Sequence, residues 1–153
     1  MAGILKVRPV TDADRAEWGP LWQGYLTFYE AHLPPGVTDL TWRRFLDPAE
    51  PLHALVAEID GHLAGLAHYL LHRSTWAPDC YCYLEDLFVP HALRGHGIGR
   101  ALIEAVEHAA LEAHASRLYW STHQTNTQAQ LLYDKLAERS GFIQYRKRLA
   151  PPV

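Results

Sequence analysis

The sequence of 153 residues has few of the features that mark several large classes of protein. Its only cysteines, Cys80 and Cys82, lie two positions apart in a strand-like segment, a poor geometry for a disulfide, and have no partner ligands at zinc spacing. No apolar run approaches the roughly 18 residues of a membrane span, and MAGILKVRPV lacks a cleavable signal region. We therefore expect reduced thiols, no metal, no membrane partner and a cytoplasmic location.

Basic residues are too dispersed for a typical nucleic-acid-binding protein. The formal net charge is −3, and the basic clusters are Arg43-Arg44 and residues 146–148. Because proteins that bind nucleic acid usually carry a basic stripe, we do not expect such a partner. The composition, 48% hydrophobic and 20% charged, is typical of a globular protein, and the length predicts one domain over residues 1–153.

Periodicity and turn signals predict the order of the elements along the chain. They are a strand at 4–10, a helix carrying Trp18 to Tyr29, a helix at 40–46, a hairpin turning at Asp60-Gly61, a strand in CYCYLEDLFVP, a helix from 98 to about 115, a strand at 116–122, a helix at 126–138 and a strand at 141–149. Residues 84–121 form a βαβ unit, whose strands should be parallel neighbours. We expect an α/β fold of the α+β type, a mixed, mostly antiparallel twisted sheet with helices on both faces.

Three glycines at alternate positions, Gly95, Gly97 and Gly99, precede the clearest helical pattern. A P-loop would end in Gly-Lys-Ser/Thr, but Arg100 follows Gly99, and the first, third and sixth glycines of a dinucleotide fingerprint are not all present. Bare backbone amides at the start of a helix favour a phosphate or pyrophosphate. The alternative interpretation is a tight turn that merely requires glycine.

The segment RGHGIG, between a strand and a helix, resembles the coenzyme A loop of the GCN5-related N-acetyltransferases (GNATs). YLEDLFVPHALRGHGIGRALIEAV is similar to the central strand, pyrophosphate loop and helix of that family, and NTQAQLLYDKLAERSGF is similar to its next helix. The intervening AERS before Gly141 departs from the usual Tyr-x-Lys-x-Gly-Phe. In finer detail the chain resembles the histone/polyamine and diamine acetyltransferase subgroups.

The resemblance implies acetyl transfer from acetyl-CoA to a primary amine, by direct attack in a ternary complex and without a metal. The coenzyme-binding residues that it implies are Leu87, Phe88, Val89, Arg94, Gly95, His96, Gly97, Ile98, Gly99, Arg100, Asn126 and Tyr133. The backbone of the first three is expected to pair with the pantetheine arm where the strand splays from its neighbour. Asn126 equally fits the N-cap of its helix. Dimers are common in the family, so we expect a homodimer.

The resemblance also implies two catalytic residues, Tyr133 and Glu85. Tyr133 would protonate the departing thiolate, although its position also fits a core tyrosine beside Leu132 and Leu136. Glu85 would hold the amine and take its proton through water. Adjacent strand residues point to opposite faces, so Asp86 should face solvent and not act with Glu85. The acceptor stays open between a polyamine, an amino acid and a lysine side chain.

Other functions are compatible with parts of the pattern. The same fold could bind acyl-CoA without turnover, as a sensor or scaffold, although Tyr133 argues for catalysis. A nicotinamide-binding oxidoreductase is disfavoured by the glycine spacing. His68 and His72 share a strand face but lack a third ligand at a suitable interval, so we expect hydrogen-bonded structural histidines.

Overall fold

In the computed structural model, which describes residues 3–150, five strands and four α-helices follow the predicted order as far as residue 136. The strands are β1 (Leu5–Pro9), β2 (Leu52–Ile59), β3 (His62–His72), β4 (Cys80–Phe88) and β5 (Ala115–Tyr119). The helices are α1 (Arg15–Phe28), α2 (Val37–Phe45), α3 (Ile98–Glu112) and α4 (Thr127–Leu136). The chain divides into two compact units between Trp120 and Ser121, so α4 alone among these elements belongs to the second unit.

The strands of the first unit form one sheet in the order β1-β2-β3-β4-β5. β1 to β4 pair antiparallel, and β5 pairs parallel with β4. The hairpin between β2 and β3 turns at Asp60 and Gly61, whose φ angles of 52° and 80° are left-handed, as a two-residue turn of this kind requires. The predicted hairpin, the parallel pair and the mixed, mostly antiparallel sheet are confirmed.

The two faces of the sheet are covered by different helices. Leu66 of β3 belongs to a buried cluster whose other members come from α1 and α2: Trp18, Leu21, Trp22, Leu26 and Trp42. A Cβ atom added to the neighbouring Gly65 would stand 3.1 Å from Leu102 and 3.2 Å from Ile98 of α3. Because successive strand residues point to opposite faces, α1 and α2 lie on one face and α3 on the other.

The start of α2 differs from the prediction. The helix begins at Val37 rather than at residue 40, and Gly36 stands before it with a left-handed φ of 87°. The Gly36 carbonyl accepts the first helical hydrogen bond from Leu40 N at 3.0 Å. The glycine that indicated a turn therefore also begins the helix, because it adopts the left-handed conformation without strain.

The predicted last strand, GFIQYRKRL at 141–149, is wrong. These residues are all described, and none of them is in a strand. The apolar side chains that should have faced a core are between 78% and 93% exposed: Phe142, Ile143, Tyr145 and Leu149. Strand preference largely reflects packing against neighbouring side chains, and at these exposed positions that packing is missing.

Both cysteines are buried in β4 and neither is in a disulfide, as the sequence predicts. Burial is the main cause that raises the pKa of Cys82 to about 12, so this group is a neutral thiol at physiological pH. Within residues 3–150, no helix has the length and hydropathy needed to cross a bilayer.

Candidate functional site

The glycine loop joins β4 to α3 and leaves the start of that helix uncapped by any side chain. Gly95 and Gly97 have φ angles of 82° and 81°, a conformation that glycine adopts at little cost. The first backbone hydrogen bond of α3 runs from Ala101 N to the Gly97 carbonyl, at 3.0 Å. The N–H groups of residues 98–100 thus lack an acceptor within the helix, and the first turn contains no acidic residue that would neutralise them.

The surface over these donors is open. A Cβ atom added to Gly95 or Gly97 would meet no atom within 4 Å, so close packing within the protein does not explain the glycines. Backbone donors at the positive end of a helix dipole suit a phosphate group. The residues present therefore fit the pyrophosphate of a coenzyme A molecule.

Side chains of the loop hold its conformation. The Nε of Arg94 donates to the Val89 carbonyl at 2.9 Å, and its guanidinium lies 5.3 Å from the ring centre of Phe28. The His96 Nδ1 lies 3.0 Å from the Arg94 carbonyl, and Arg100 forms an exposed ion pair with Glu104 at 3.0 Å. Arg94 and His96 thus brace the loop against the end of β4, whereas the guanidinium of Arg100 is directed along the helix.

β4 extends beyond its parallel neighbour. The ladder between β4 and β5 ends at the pair Tyr83–Tyr119, whereas β4 continues to Phe88. Over 84–88 the strand keeps its pairing with β3 on one side. On its other side, the backbone of this segment lies outside the β4–β5 ladder, next to the glycine loop in the chain.

A β-bulge interrupts the regular alternation of β4 at Glu85. His68 of β3 pairs with Asp86, and Tyr69 pairs with Leu84, so Glu85 has no opposite residue on β3. An extra residue of this kind re-aims side chains, and bulges are frequent next to active sites. The regular alternation, from which Glu85 and Asp86 were predicted to lie on opposite faces, is therefore interrupted at this point.

Asp86 is anchored to a buried histidine. Its Oδ2 lies 2.9 Å from the Nδ1 of His68, and the two side chains are only 13% and 4% exposed. The other ring nitrogen, Nε2, accepts a hydrogen bond of 3.0 Å from the indole N–H of Trp18 in α1. The expectation that Asp86 faces solvent is wrong, and His68 is a hydrogen-bonded core histidine, as predicted.

The surroundings of Asp86 concentrate negative charge beside aromatic rings. The Glu85 side chain is exposed, but its pKa is raised, first by desolvation from neighbouring groups and then by the charge of Asp86. Burial, followed by the charge of Asp86 and a hydrogen bond to it, raises the pKa of Tyr25 in α1, and burial and the same charge raise the pKa of Tyr29. This face of β4 can attract a cation, and Glu85 holds a proton more readily than an ordinary glutamate.

The second unit contains the other two predicted residues. Asn126 is the N-cap of α4, where its side-chain oxygen accepts a long hydrogen bond, 3.5 Å, from Ala129 N, and its amide donates to the Thr122 hydroxyl at 3.3 Å. This confirms the capping role and leaves the coenzyme contact a prediction. Tyr133 is half-buried on α4.

Residues 85–100 bring most of the predicted site residues together in one continuous stretch of β4, loop and helix. Sequence reasoning missed three contributions: Asp86 of the same strand as an anchored carboxylate, and His68 of β3 and Tyr25 of α1 as its neighbours. A polar histidine in the apolar run of β3 was the available signal for His68. The contact with Asp86 joins residues 18 positions apart and depends on the bulge, for which the sequence has no local marker.

The site combines a strand segment outside the β4–β5 ladder, a glycine loop and an open helix start, an arrangement that suits a ligand carrying a pyrophosphate. A family model, described as the acetyltransferase (GNAT) family, matches residues 15–137. The chain belongs to this family, and it is an N-acetyltransferase, as its relatives are.

The individual relatives agree with this assignment. The chain is 36% identical to the D-amino-acid N-acetyltransferase HPA3 of Saccharomyces cerevisiae, over 94% of this chain and 90% of the relative. It is 34% identical to the thialysine N-epsilon-acetyltransferase of Mus musculus, over 61% and 62% of the two chains. The aminoglycoside N-acetyltransferase AAC(6')-Iy in complex with CoA has the same fold, with a TM-score of 0.80, 22% identity and 97% coverage of both chains.

Proposed function

We propose that the protein transfers an acetyl group from acetyl-CoA to a primary amine, by direct attack of the amine in a ternary complex. The observation that carries the proposal is the construction of β4. One strand presents the carboxylates Glu85 and Asp86, then a segment outside the β4–β5 ladder, and then the open helix start at Gly97. An acetyl donor bound at the glycine loop and an amine bound at the two carboxylates would therefore meet beside this strand.

The coenzyme side uses main-chain groups. The amides of residues 95–100 would hold the pyrophosphate, since they combine left-handed glycines with the positive end of α3. The backbone of 87–89 would pair with the pantetheine arm, and one N–H group there would polarise the thioester carbonyl. Asn126 and Tyr133 complete the proposed set. When bound, acetyl-CoA supplies the activated acyl group.

The acceptor side uses the two carboxylates in different roles. Asp86, held by His68 at 2.9 Å, would attract the ammonium form of the acceptor. Glu85, whose pKa is raised, would accept the proton that the amine must lose, since an alkyl ammonium has a pKa near ~10.4 and is not nucleophilic. A general base is most efficient when its pKa approaches the working pH.

Tyr133 would donate its hydroxyl proton to the departing sulfur. The ordinary pKa of a tyrosine, about 10, is close to the ~8.5 of a thiol, so the transfer is feasible near neutral pH. Cysteine catalysis through a covalent intermediate is not part of the proposal. Cys80 and Cys82 are both buried, and the pKa of Cys82 is raised to about 12.

The acceptor class is proposed from the chemistry of the site and from the relatives. HPA3 is named for D-amino acids and the mouse relative for thialysine. Carboxylates beside Tyr25 and Tyr29 suit a cationic amine. A polyamine, an amino acid and a lysine side chain are the candidates. A cytoplasmic homodimer with one domain over 1–153 stays a prediction from the sequence.

The experiment is release of free thiol from acetyl-CoA in the presence of a panel of amines, with mass detection of the acetylated product. We expect amine-dependent thiol release and a product heavier by one acetyl group. The proposal would fail if acetyl-CoA raised the melting temperature but no amine released thiol faster than the hydrolysis of acetyl-CoA alone. That outcome would favour an acyl-CoA sensor.

A further inference from the structure

The hydrogen bonds of His68 determine which of its nitrogens carries the proton. An indole N–H can only donate, so the His68 Nε2, at 3.0 Å from Trp18 Nε1, must be an acceptor without a proton. A neutral imidazole has one donor and one acceptor. The proton is therefore on Nδ1, which donates to Asp86 Oδ2 at 2.9 Å.

Aromatic rings hold the imidazole in this orientation. The ring centre of Phe45 lies 4.5 Å from that of His68, that of Trp22 lies at 5.1 Å and that of Trp18 at 5.9 Å. His68 as a whole is 3% exposed. Rotation of the ring would place a polar nitrogen against these apolar faces, which is costly for a buried group.

Asp86 keeps its negative charge in this arrangement. Its hydrogen bonds come from the neutral groups of His68 and Tyr25, not from a full positive charge, so its attraction for a cation is not cancelled. Tyr25 adds a further neutral neighbour, and Glu85 is the nearby carboxyl with a raised pKa.

We propose that His68 is a positioning residue for the acceptor amine: Trp18 fixes its Nδ1–H tautomer, and this N–H aims the ionised Asp86 at the ammonium group. The inference rests on the proposed function and assigns His68 and Trp18, which do not touch the reacting atoms, a part in substrate recognition. If His68 only filled the core, its hydrogen bonds would not affect the binding of the amine more than the binding of acetyl-CoA.

Two variants of His68 separate the two hydrogen bonds. In His68→Asn the amide nitrogen occupies the place of Nδ1 and can still donate to Asp86. In His68→Gln the amide oxygen can accept from Trp18 at the place of Nε2, but the N–H group that donates to Asp86 is lost. Because a hydrogen bond to a charged group contributes to binding, we expect His68→Gln to raise the KM for the amine about tenfold. His68→Asn should raise it less, and neither should alter the KM for acetyl-CoA.

His108→Gln is the matched control, since His108 is an exposed residue of α3 that pairs with Glu112. Melting temperatures of all three variants separate a loss of stability from a loss of recognition. Equal increases in amine KM for His68→Asn and His68→Gln, or parallel changes in the KM for acetyl-CoA, would overturn the positioning role.

The tautomer is measured independently of turnover by ¹⁵N-histidine NMR. The signals of His68 are identified among the ten histidines by their loss in His68→Asn, and we expect a protonated Nδ1 and an unprotonated Nε2. Trp18→Phe removes the indole donor and should shift the Nε2 signal. A protonated Nε2 in the unmodified protein refutes the inference.

Failure of the inference and failure of the proposed function give different results. If no amine releases thiol, the proposed function fails. Calorimetric titration with spermidine and with lysine can then still compare the amine affinity of His68→Gln with that of His68→Asn. Equal affinities of the two variants would refute the role of His68, and weaker binding by His68→Gln alone would support it.

Discussion

The guanidinium of Arg8 holds the carboxylate of Asp14 through two nitrogens, at 2.8 and 2.9 Å. Asp14 also accepts a hydrogen bond of 2.7 Å from Thr11 N. This pair ties β1 to the turn that leads into α1, the helix that carries Trp18 and Tyr25. The hydrogen bond from Arg8 is the main cause that lowers the pKa of Asp14 to about 2.

The Arg8–Asp14 pair predicts a pH-dependent part of the stability. A carboxyl whose pKa is lower in the folded than in the unfolded protein stabilises the fold above its ordinary pKa, and the effect is lost as pH falls towards the folded value. Asp14→Asn should therefore reduce the free energy of unfolding at neutral pH by about 2 kcal/mol. Urea denaturation of both proteins should give differences that shrink between about pH 4 and pH 2.

Asp39→Asn is the control for this prediction. Asp39 pairs with Arg15 at 2.9 Å, but its side chain is 66% exposed, so the variant should differ from the unmodified protein by less than about 1 kcal/mol. A loss for Asp14→Asn that does not change between neutral and acidic pH would contradict the assigned pKa.

Substitution of the loop glycines should weaken coenzyme binding. Gly97→Ala forces a side chain into a left-handed conformation, at a cost of roughly 1–2 kcal/mol, and places a Cβ atom over the open helix start. Loss of amide contacts to a charged phosphate should raise the KM for acetyl-CoA about tenfold or more. Initial-rate kinetics at saturating amine measure this effect.

Gly61→Ala provides a matched comparison, because Gly61 has a φ of 80° and open space around its Cβ position, like Gly97. It should lower the melting temperature about as much as Gly97→Ala but leave the KM for acetyl-CoA unchanged. If both variants raised this KM equally, strain alone would be responsible and the loop would not be the phosphate site.

Glu85 should determine the acidic limb of the pH profile of kcat/KM. A glutamate with a raised pKa is protonated at low pH and cannot accept a proton, so kcat/KM should rise as pH increases through that pKa. Glu85→Gln should remove this limb and lower kcat by about 100-fold. Glu107→Gln, at an exposed position of α3, serves as the control. An unchanged acidic limb in Glu85→Gln would assign the base to a water chain instead.

Loss of the Tyr133 hydroxyl should slow the chemical step and leave donor binding intact. We expect Tyr133→Phe to lower kcat by about 100-fold or more, with little change in the affinity for acetyl-CoA measured by calorimetry. Tyr145→Phe is the control, because Tyr145 is 89% exposed. Full activity in Tyr133→Phe would show that solvent protonates the thiolate.

Local signals predicted much of the fold, and non-local pairing accounts for what they missed. The Asp60-Gly61 turn and the open loop at Gly95 and Gly97 depend on the φ angles of a few neighbouring residues, so short sequence patterns indicate them. The sequence of 141–149 also suggested a strand, but a strand needs a partner that buries one of its faces.

The carboxylate site illustrates the same limit. The sequence indicated that a carboxylate in YLEDLFV could face the cleft, and it favoured Glu85. The anchoring of Asp86 depends on its pairing with His68 and on a donor from Trp18 in α1, 50 residues from His68 in the chain. Neither relation has a signature within a short window.

The bulge at Glu85 divides β4 into two segments of opposite phase. Before it, even-numbered side chains point towards α3, and the thiol of Cys80 donates to the Ala113 carbonyl at the end of that helix, at 3.5 Å. After it, the even-numbered Asp86 and Phe88 belong to the face of α1. Regular alternation over 84–86 would instead place Asp86 on the same face as Leu84, in the apolar layer beneath α3. The bulge thus decides on which face of the sheet the charge of Asp86 lies.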